Sequence, residues 1–128
     1  MIKGNIAEKL QKFLIELESQ IPEIEASAVV SAEGLPIASA LPRNVDETRV
    51  AAITAVMLNM GERATMEFNK GELNQVIVRG SEGILVSMAA GEDAVLTVSA
   101  THDARLGILL LFAERTAAKI QETMSENQ

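Results

Sequence analysis

The sequence contains no cysteine, tryptophan or tyrosine, and its 128 residues include only three phenylalanines and three prolines. A chain without cysteine forms neither disulfides nor thiolate metal sites, and a reducing cytoplasm is therefore its expected location. Because aromatic side chains are so few, the sequence argues against the stacking platforms that bind single-stranded nucleic acids. It argues equally against a small-molecule pocket with aromatic walls.

Basic residues are also scarce, since 11 Lys and Arg stand against 18 Asp and Glu, for a formal net charge of −7. Binding to nucleic acid depends on clustered cations that release counterions from phosphates. We therefore expect no nucleic-acid partner. No apolar run reaches the roughly 18 to 20 residues that cross a bilayer, and residues 1–5 lack the order of a secretory signal. We expect no membrane insertion.

Reactive side chains form no recognisable catalytic pattern. His102 is the only histidine, lies in a predicted turn beside Asp103, and has no serine placed as an obvious nucleophile. The acidic pairs Asp46-Glu47 and Glu92-Asp93 are explained by a helix cap and a turn. The segment Gly80–Gly83 joins two predicted strands and contains an acid, unlike a phosphate-binding loop. We predict no catalytic residue, no cofactor and no metal, and hence a protein that is not an enzyme.

The periodicity of apolar residues divides the chain into eight elements without a linker. Asn5 and Glu8 form a predicted capping pair for the first helix, and Asp103 is predicted to cap the last. Residues 1–128 are expected to form one domain, with frayed ends at 1–4 and 122–128. The predicted elements are a helix over 6–21, strands Ala26–Ala32 and Leu35–Ala40, a helix from Asp46 to about Phe68, strands Leu73–Gly80, Gly83–Ala90 and Asp93–Ala100, and a helix over 106–120.

The second helix has apolar residues on more than one face. One face is predicted to pack on a sheet and contains Val50, Ile53, Met57, Gly61, Ala64 and Phe68. Further apolar residues spread around most of the remaining surface, whereas a surface helix normally keeps a polar face. These are Ala51, Ala52, Ala55, Val56, Leu58 and Met66. A single chain of this size cannot cover both sides, so we expect a second chain to cover one of them.

The strands of the second half also indicate burial on both faces. Ile84-Leu85-Val86 and Ala94-Val95-Leu96 are continuous apolar runs rather than alternating ones. Helices are therefore expected on each side of the sheet. The last three predicted strands are separated by very short turns, which favours an antiparallel meander.

Several segments in a fixed order resemble one known family. Ala28–Ser31 is followed by Glu33–Ala38, which gives a strand of small apolar residues, an acid-glycine turn and a return strand. Glu82–Val86, Leu96–Val98 and Leu106–Leu109 follow at similar spacing. This ordered set resembles the Roadblock (dynein light chain 7) family over about residues 6 to 120. The resemblance implies a three-layer α/β (α+β) fold of longin-like and profilin-like architecture. Its five-stranded antiparallel sheet would carry one long helix on one face and two terminal helices on the other, in the order α-β-β-α-β-β-β-α.

The resemblance also implies a dimer, in which the third strands pair across a two-fold axis and the second helices lie side by side. A homodimer is expected, and a heterodimer with a related chain is the alternative. An unpaired edge strand favours such an association independently. The predicted interface residues are Ala51, Ala55, Leu58, Gln75, Val76, Ile77 and Val78.

Family members bind Ras-like small GTPases, either as scaffolds or as dimers that raise the rate of GTP hydrolysis. The resemblance therefore implies a non-catalytic adaptor or regulator whose second helix contacts the GTPase. One alternative is a purely structural dimeric subunit of a larger complex. Another is a PAS-like or profilin-like ligand sensor, which would require a pocket with convergent polar groups. The predicted partner-binding residues are Arg49, Ala52, Val56, Asn59 and Arg63.

Overall fold

The computed structural model describes residues 2–126, which form three helices and five strands in the predicted order. The predicted fold class is confirmed. The helices and strands are α1 (Ile2–Gln20), β1 (Ile24–Ser31), β2 (Pro36–Ala40), α2 (Glu47–Glu67), β3 (Val76–Arg79), β4 (Gly83–Ala89), β5 (Ala94–Thr101) and α3 (Leu106–Glu126).

The five strands form one antiparallel sheet in the order β2-β1-β5-β4-β3. The predicted first hairpin is β1-β2, and the predicted meander is β3-β4-β5. The continuous apolar run of β5 is explained by its central position, since it has a neighbour on each side and is covered on both faces. On the buried sheet surface the hydroxyls of Ser87 and Thr97 form a hydrogen bond of 2.8 Å with each other. Their polarity is thereby satisfied without water.

The larger core lies between one face of the sheet and the layer formed by α1 and α3. Both helices bury apolar residues at the three- and four-residue spacing that places side chains on one face. At the surface, Lys119 Nζ of α3 lies 2.8 Å from Glu16 Oε1 of α1. The buried side chains include Leu10, Leu14 and Leu17 in α1 and Leu109, Ala113 and Ile120 in α3.

Helix α2 covers the other face of the sheet through small residues. It begins after the N-cap Asp46, whose carboxylate accepts a hydrogen bond from the backbone N–H of Thr48. Ala51 and Ala55 are buried close to the β1-β2 turn, where Gly34 has a φ of 94°. A Cβ at Gly34 would lie 3.2 Å from the Ala55 Cβ. Small side chains are therefore required for this close approach of helix and turn.

Two predicted caps and several element boundaries differ from the expected ones, and β1 begins at Ile24 rather than at Ala26. Helix α1 already begins at Ile2, so Asn5 lies inside it and is not its N-cap. Strand β3 is shorter than predicted, because only Val76–Arg79 pairs with β4. Asp103 does not cap α3, which begins at Leu106; its carboxylate accepts a hydrogen bond from Thr101 Oγ1 instead.

The C-terminal helix continues to Glu126, which corrects the expectation of a frayed end from residue 122. Thr123 is buried, and Met124 packs against the larger core. Burial of these two side chains stabilises the last helical turns. Residues 1, 127 and 128, which were also expected to fray, lie outside the described residues.

The start of β4 allows no side chain at Gly83. A Cβ at this position would lie 2.8 Å from the backbone oxygen of Ala100 on the neighbouring strand. We expect Gly83→Ala to lower the free energy of unfolding by about 1–2 kcal/mol, because the strands must move apart. Gly107→Ala is the matched control, since nothing lies within 4 Å of its added Cβ and it is in α3. Chemical denaturation should show Gly107→Ala to be neutral or stabilising by up to about 1 kcal/mol; equal losses in both variants would contradict this account.

Glu18 links α1 to the sheet. Its Oε2 accepts a hydrogen bond of 2.5 Å from the hydroxyl of the buried Ser27. Burial raises the pKa of Glu18 above its ordinary value of 4.5, an effect that the Ser27 hydrogen bond partly offsets. The Glu18 carboxyl therefore binds a proton more tightly in the folded chain than in the unfolded chain. The protonated Glu18 carboxyl contributes to stability at low pH, and this contribution is lost as the pH rises through the pKa that Glu18 has in the folded chain.

We expect Glu18→Gln to raise Tm at pH 7, because the amide keeps an acceptor for Ser27 without a partly buried charge. The gain should shrink as the pH falls to 4, where the native carboxyl becomes protonated. Thermal denaturation at both pH values measures the difference. Glu25→Gln, which removes a charge from an exposed position on β1, is the control. A gain that is the same at pH 4 and pH 7 would contradict the explanation by burial.

Candidate functional site

The five residues predicted to bind a partner lie together on the exposed side of α2. This surface, here called the outer ridge, contains Arg49, Ala52, Val56, Asn59 and Arg63, all of them exposed. It is turned away from Ala51, Thr54 and Ala55, which are buried against the sheet. Arg49 and Arg63 are 14 residues apart, which corresponds to about 21 Å along the helix. The ridge thus combines an apolar centre with a cation at each end.

Large apolar side chains are unusually exposed along this helix. Val56 is 61% exposed, and Ile53 and Met60 are exposed beside it. Contiguous apolar side chains on a surface commonly mark a site of protein interaction. Methionine adapts to differently shaped partners because its side chain is flexible and polarisable. The arrangement is suited to binding another protein.

Ala51 and Ala55 do not lie where the predicted dimer interface required them. Ala51 is completely buried and Ala55 almost so, because both pack within their own chain. Ala51 shares a cluster with Ala28 and Val30 of β1 and with Val95 of β5. A second copy therefore cannot contact Ala51. The prediction that these two alanines line a dimer interface is corrected, since their small size serves the contact between α2 and its own sheet.

The face of α2 that was predicted to pack on the sheet does not do so. It lies to one side of the helix, beside the face that contacts the sheet, and is here called its flank. Ile53 and Phe68 on this flank are exposed, whereas Val50 is half-buried. Both faces of the helix are apolar, so periodicity alone does not distinguish the one that meets the sheet. The signal that could have done so is the size of Ala51 and Ala55, which allows a close approach to a backbone.

The remaining predicted interface residues lie on or near the β3 edge. Ile77 and Val78 are exposed, and Val76 is half-buried. Gln75 is half-buried and directly precedes the strand, and Leu58 is half-buried on α2. Among the described residues β3 pairs only with β4. Its other edge therefore presents backbone groups that a further strand could pair with.

The opposite edge of the sheet, at β2, is protected. Pro36 has no backbone N–H to donate, and Gln11 Nε2 donates a hydrogen bond of 3.0 Å to the backbone oxygen of Ser39. A side chain of α1 thus occupies an acceptor that another strand would need. The two edges of the sheet consequently differ, and β3 is the one suited to association.

The structure offers little for catalysis or ligand chemistry within residues 2–126. His102 is exposed, and the described part of the chain contains no group of three or more His, Asp or Glu placed to hold a metal ion. The hydroxyls of Ser87 and Thr97 bond to each other rather than converging on a cavity. No helix among the described residues combines the length and apolarity needed to span a membrane. The absence of catalytic residues, metal and cofactor stays a prediction.

Residues 10–100 match the family model of the Roadblock/LC7 domain. The chain belongs to the Roadblock/LC7 family. The match runs from the middle of α1 through α2 and into β5, and so includes the outer ridge and the β3 edge. Members of the Roadblock/LC7 family are non-catalytic adaptors and regulators of small GTPases.

Individual Roadblock/LC7 relatives agree with this assignment. The uncharacterized protein MJ1340 of Methanocaldococcus jannaschii is 33% identical over 112 residues, which cover 88% of this chain and 96% of that protein. The Roadblock/LC7 domain from Streptomyces avermitilis has a TM-score of 0.84 at 19% identity, with 90% of this chain and 97% of that chain covered. A structure of MglB with a tetrameric arrangement has a TM-score of 0.87 at 17% identity, with 96% and 93% covered. These structures share the fold.

Proposed function

We propose that this Roadblock/LC7 protein is a non-catalytic adaptor or regulator that binds a Ras-like small GTPase, as a scaffold or as a GTPase-activating platform. The outer ridge of α2 is the proposed contact surface. The observation that carries the proposal is the exposure of its apolar centre, with Val56 as the central residue, in a member of this family. The cytoplasmic location expected from the sequence is part of the same proposal.

The charges of the ridge support a specific protein contact. The chain as a whole has a net charge of −7, yet the ridge contains Arg49 and Arg63 and no acidic residue. Arginine is enriched among the residues that dominate binding energy at protein interfaces, because its planar group forms several hydrogen bonds at once. Val56 is thus the apolar centre of the ridge, and Arg49 and Arg63 form a polar rim around it, as protein interfaces commonly have.

We further propose that two copies associate through their β3 edges. Antiparallel pairing of β3 with β3 of a second copy would give the unpaired backbone groups partners and cover Ile77 and Val78. A two-fold axis perpendicular to the sheet relates strands that pair in this way, so both α2 helices lie on the same side of the joined sheet. The two outer ridges then belong to one continuous surface. The MglB structure with a tetrameric arrangement shows that a protein of this fold assembles. A heterodimer with a related chain would use the same edge.

Binding to a Ras-like GTPase from the same organism tests the proposed function. The purified protein is mixed with the GTPase loaded with GDP or with a non-hydrolysable GTP analogue, and complex formation and hydrolysis rate are measured. Nucleotide-dependent binding with faster hydrolysis indicates an activating platform, and binding without a rate change indicates a scaffold. Binding that ignores the nucleotide favours a structural subunit. Failure to bind any Ras-like GTPase of that organism contradicts the proposal.

A further inference from the structure

Helix α2 extends beyond the sheet that it crosses. Its first residue, Glu47, accepts a hydrogen bond of 2.9 Å from the hydroxyl of Ser39 on β2. Gly61 lies against the opposite edge strand, since a Cβ there would be 2.6 Å from Val76 Cγ2 of β3. Phe68, the C-cap, follows seven residues later. At the helical rise this corresponds to about 10 Å, or about two spacings between strands.

This overhanging end of α2, residues 62–68, has exposed apolar side chains. Met66 is 73% exposed and Phe68 is 72% exposed. An open groove of about 570 Å³ runs beside the end of the helix, with Leu58, Thr65 and Met66 among its lining residues. The last two turns therefore continue beyond Gly61, where the helix meets β3, and the groove beside them is also lined by Leu73 and by Ala89 of β4.

One corner of the sheet is incompletely covered on the α2 side. Val78 of β3 lies opposite Leu85 of β4, and Leu85 lies opposite Ser99 of β5. Val78 is exposed, and Leu85 and Ser99 are only half-buried. A cleft of about 180 Å³, here called the sheet corner, lies on the Leu85 and Ser99 side of this row and extends over β1. Its lining residues are Ala26, Ser27, Leu41, Val45, Val50, Leu85, Thr97 and Ser99.

The sheet corner lies on the Val50 flank of α2, displaced along the strands away from the β1-β2 turn at Gly34. Helix α2 passes close to the β1-β2 turn at Gly34 and to Val76, the first residue of β3. The corner lies near the start of β4, at Leu85, and near the end of β5, at Ser99. Two-fold pairing through β3 reverses these ends between the copies. The overhanging end of α2 from one copy would thus reach across β3 and β4 of the other, at the level of the sheet corner.

The direction of Phe68 agrees with this placement. Phe68 follows Val50 by 18 residues, which is about five helical turns, so both side chains lie on the same flank of α2. Val50 lines the cleft above its own sheet. Met66 lies on another side of the helix, where it lines the open groove. Of the two exposed side chains, Phe68 is therefore the one directed towards the corner of a two-fold partner.

We propose that Phe68 of each copy inserts into the sheet corner of the other copy and completes the core above Leu85. The occupant of this cleft is thus a second copy of the chain. The inference rests on the dimer of the proposed function and adds to it a reciprocal contact remote from the β3 edge. An aromatic side chain buries a large apolar area, and two symmetric insertions would fix the relative position of the α2 helices and of their outer ridges.

The absence of native cysteine makes disulfide cross-linking a clean test. Phe68→Cys and Leu85→Cys are purified separately, mixed to allow exchange of subunits, and oxidised. We expect covalent dimers in the mixture and few in either variant alone, because each new cysteine should meet only the other position across the axis. Phe68→Cys mixed with Ile108→Cys is the control, since Ile108 is an exposed residue of α3 in the opposite layer.

A second measurement uses the dissociation constant of the dimer. We expect Phe68→Ala to raise it at least about tenfold, as truncation of a buried aromatic anchor does, and Met66→Ala to change it by less than about threefold. Light scattering before oxidation shows whether the native protein is a dimer, and so distinguishes failure of the dimer from failure of the Phe68 contact. A monomeric native protein overturns both the dimer and this contact. A native dimer that shows neither the 68–85 cross-link nor an effect of Phe68→Ala overturns the contact alone.

Discussion

Val78→Glu is expected to convert the proposed dimer into monomers, with a dissociation constant raised at least about 100-fold. Val78 is 43% exposed on the edge strand β3, so a glutamate there can reach water in a single chain. In the proposed dimer the two added carboxylates would lie near the two-fold axis, close to each other and removed from solvent. Like charges next to each other across paired strands are unfavourable, and desolvation adds to their cost. Sedimentation equilibrium measures the change.

The matched control for this variant is Ile108→Glu. Ile108 is 45% exposed on α3, so the substitution adds the same charge at almost the same exposure but in the opposite layer. Its dimer should keep the native dissociation constant. Circular dichroism establishes that both variants remain folded. A folded Val78→Glu protein with the mass of the native dimer would rule out association through β3.

The double variant Arg49→Glu, Arg63→Glu should bind the small GTPase about 100-fold more weakly while remaining dimeric. The two side chains flank Val56 on the outer ridge and are exposed, so their replacement should leave the core unaltered. Loss of two interfacial arginines removes their hydrogen bonds, and the new carboxylates repel the groups that the arginines had attracted. Calorimetric titration with the GTPase in its preferred nucleotide state measures the loss.

Arg105→Glu, Arg115→Glu provides the same change of net charge on the other side of the molecule. Both residues are exposed, Arg105 just before α3 and Arg115 within it, where the guanidinium lies 5.5 Å from the centre of the Phe112 ring. Its affinity for the GTPase should stay within about threefold of the native value. Equal losses in the two double variants would indicate long-range electrostatic steering rather than a contact at the ridge.

The order of the elements could be predicted because each segment has a clear periodicity and is bounded by turn or capping residues. Asp46 caps α2 as predicted, and Gly34 takes the positive φ expected of the first hairpin turn. The arrangement of layers came from the family resemblance, since periodicity does not specify which strands pair. The exposed position of the outer ridge could be predicted because Arg49, Asn59 and Arg63 are costly to bury.

The orientation of α2 could not be obtained from periodicity. Its two apolar faces give the same signal, and the choice between them depends on the distance between helix and sheet. Ala51 and Ala55 allow the helix to approach the backbone near Gly34, whereas Ile53 and Phe68 would hold it away. The end of α3 was missed for a related reason, because burial of Thr123 depends on neighbours distant in sequence.

The unequal edges of the sheet determine how large an assembly can grow by strand pairing. In the proposed dimer the two five-stranded sheets form ten strands, and among the described residues the outer strands are then the two copies of β2, with Pro36 and the Gln11–Ser39 hydrogen bond. A third copy could not be added by strand pairing, because neither β2 edge is open to backbone hydrogen bonds from another strand. Higher concentration should therefore increase the number of dimers without producing longer assemblies, and we expect no fibrous polymerisation of the kind to which open sheets are prone.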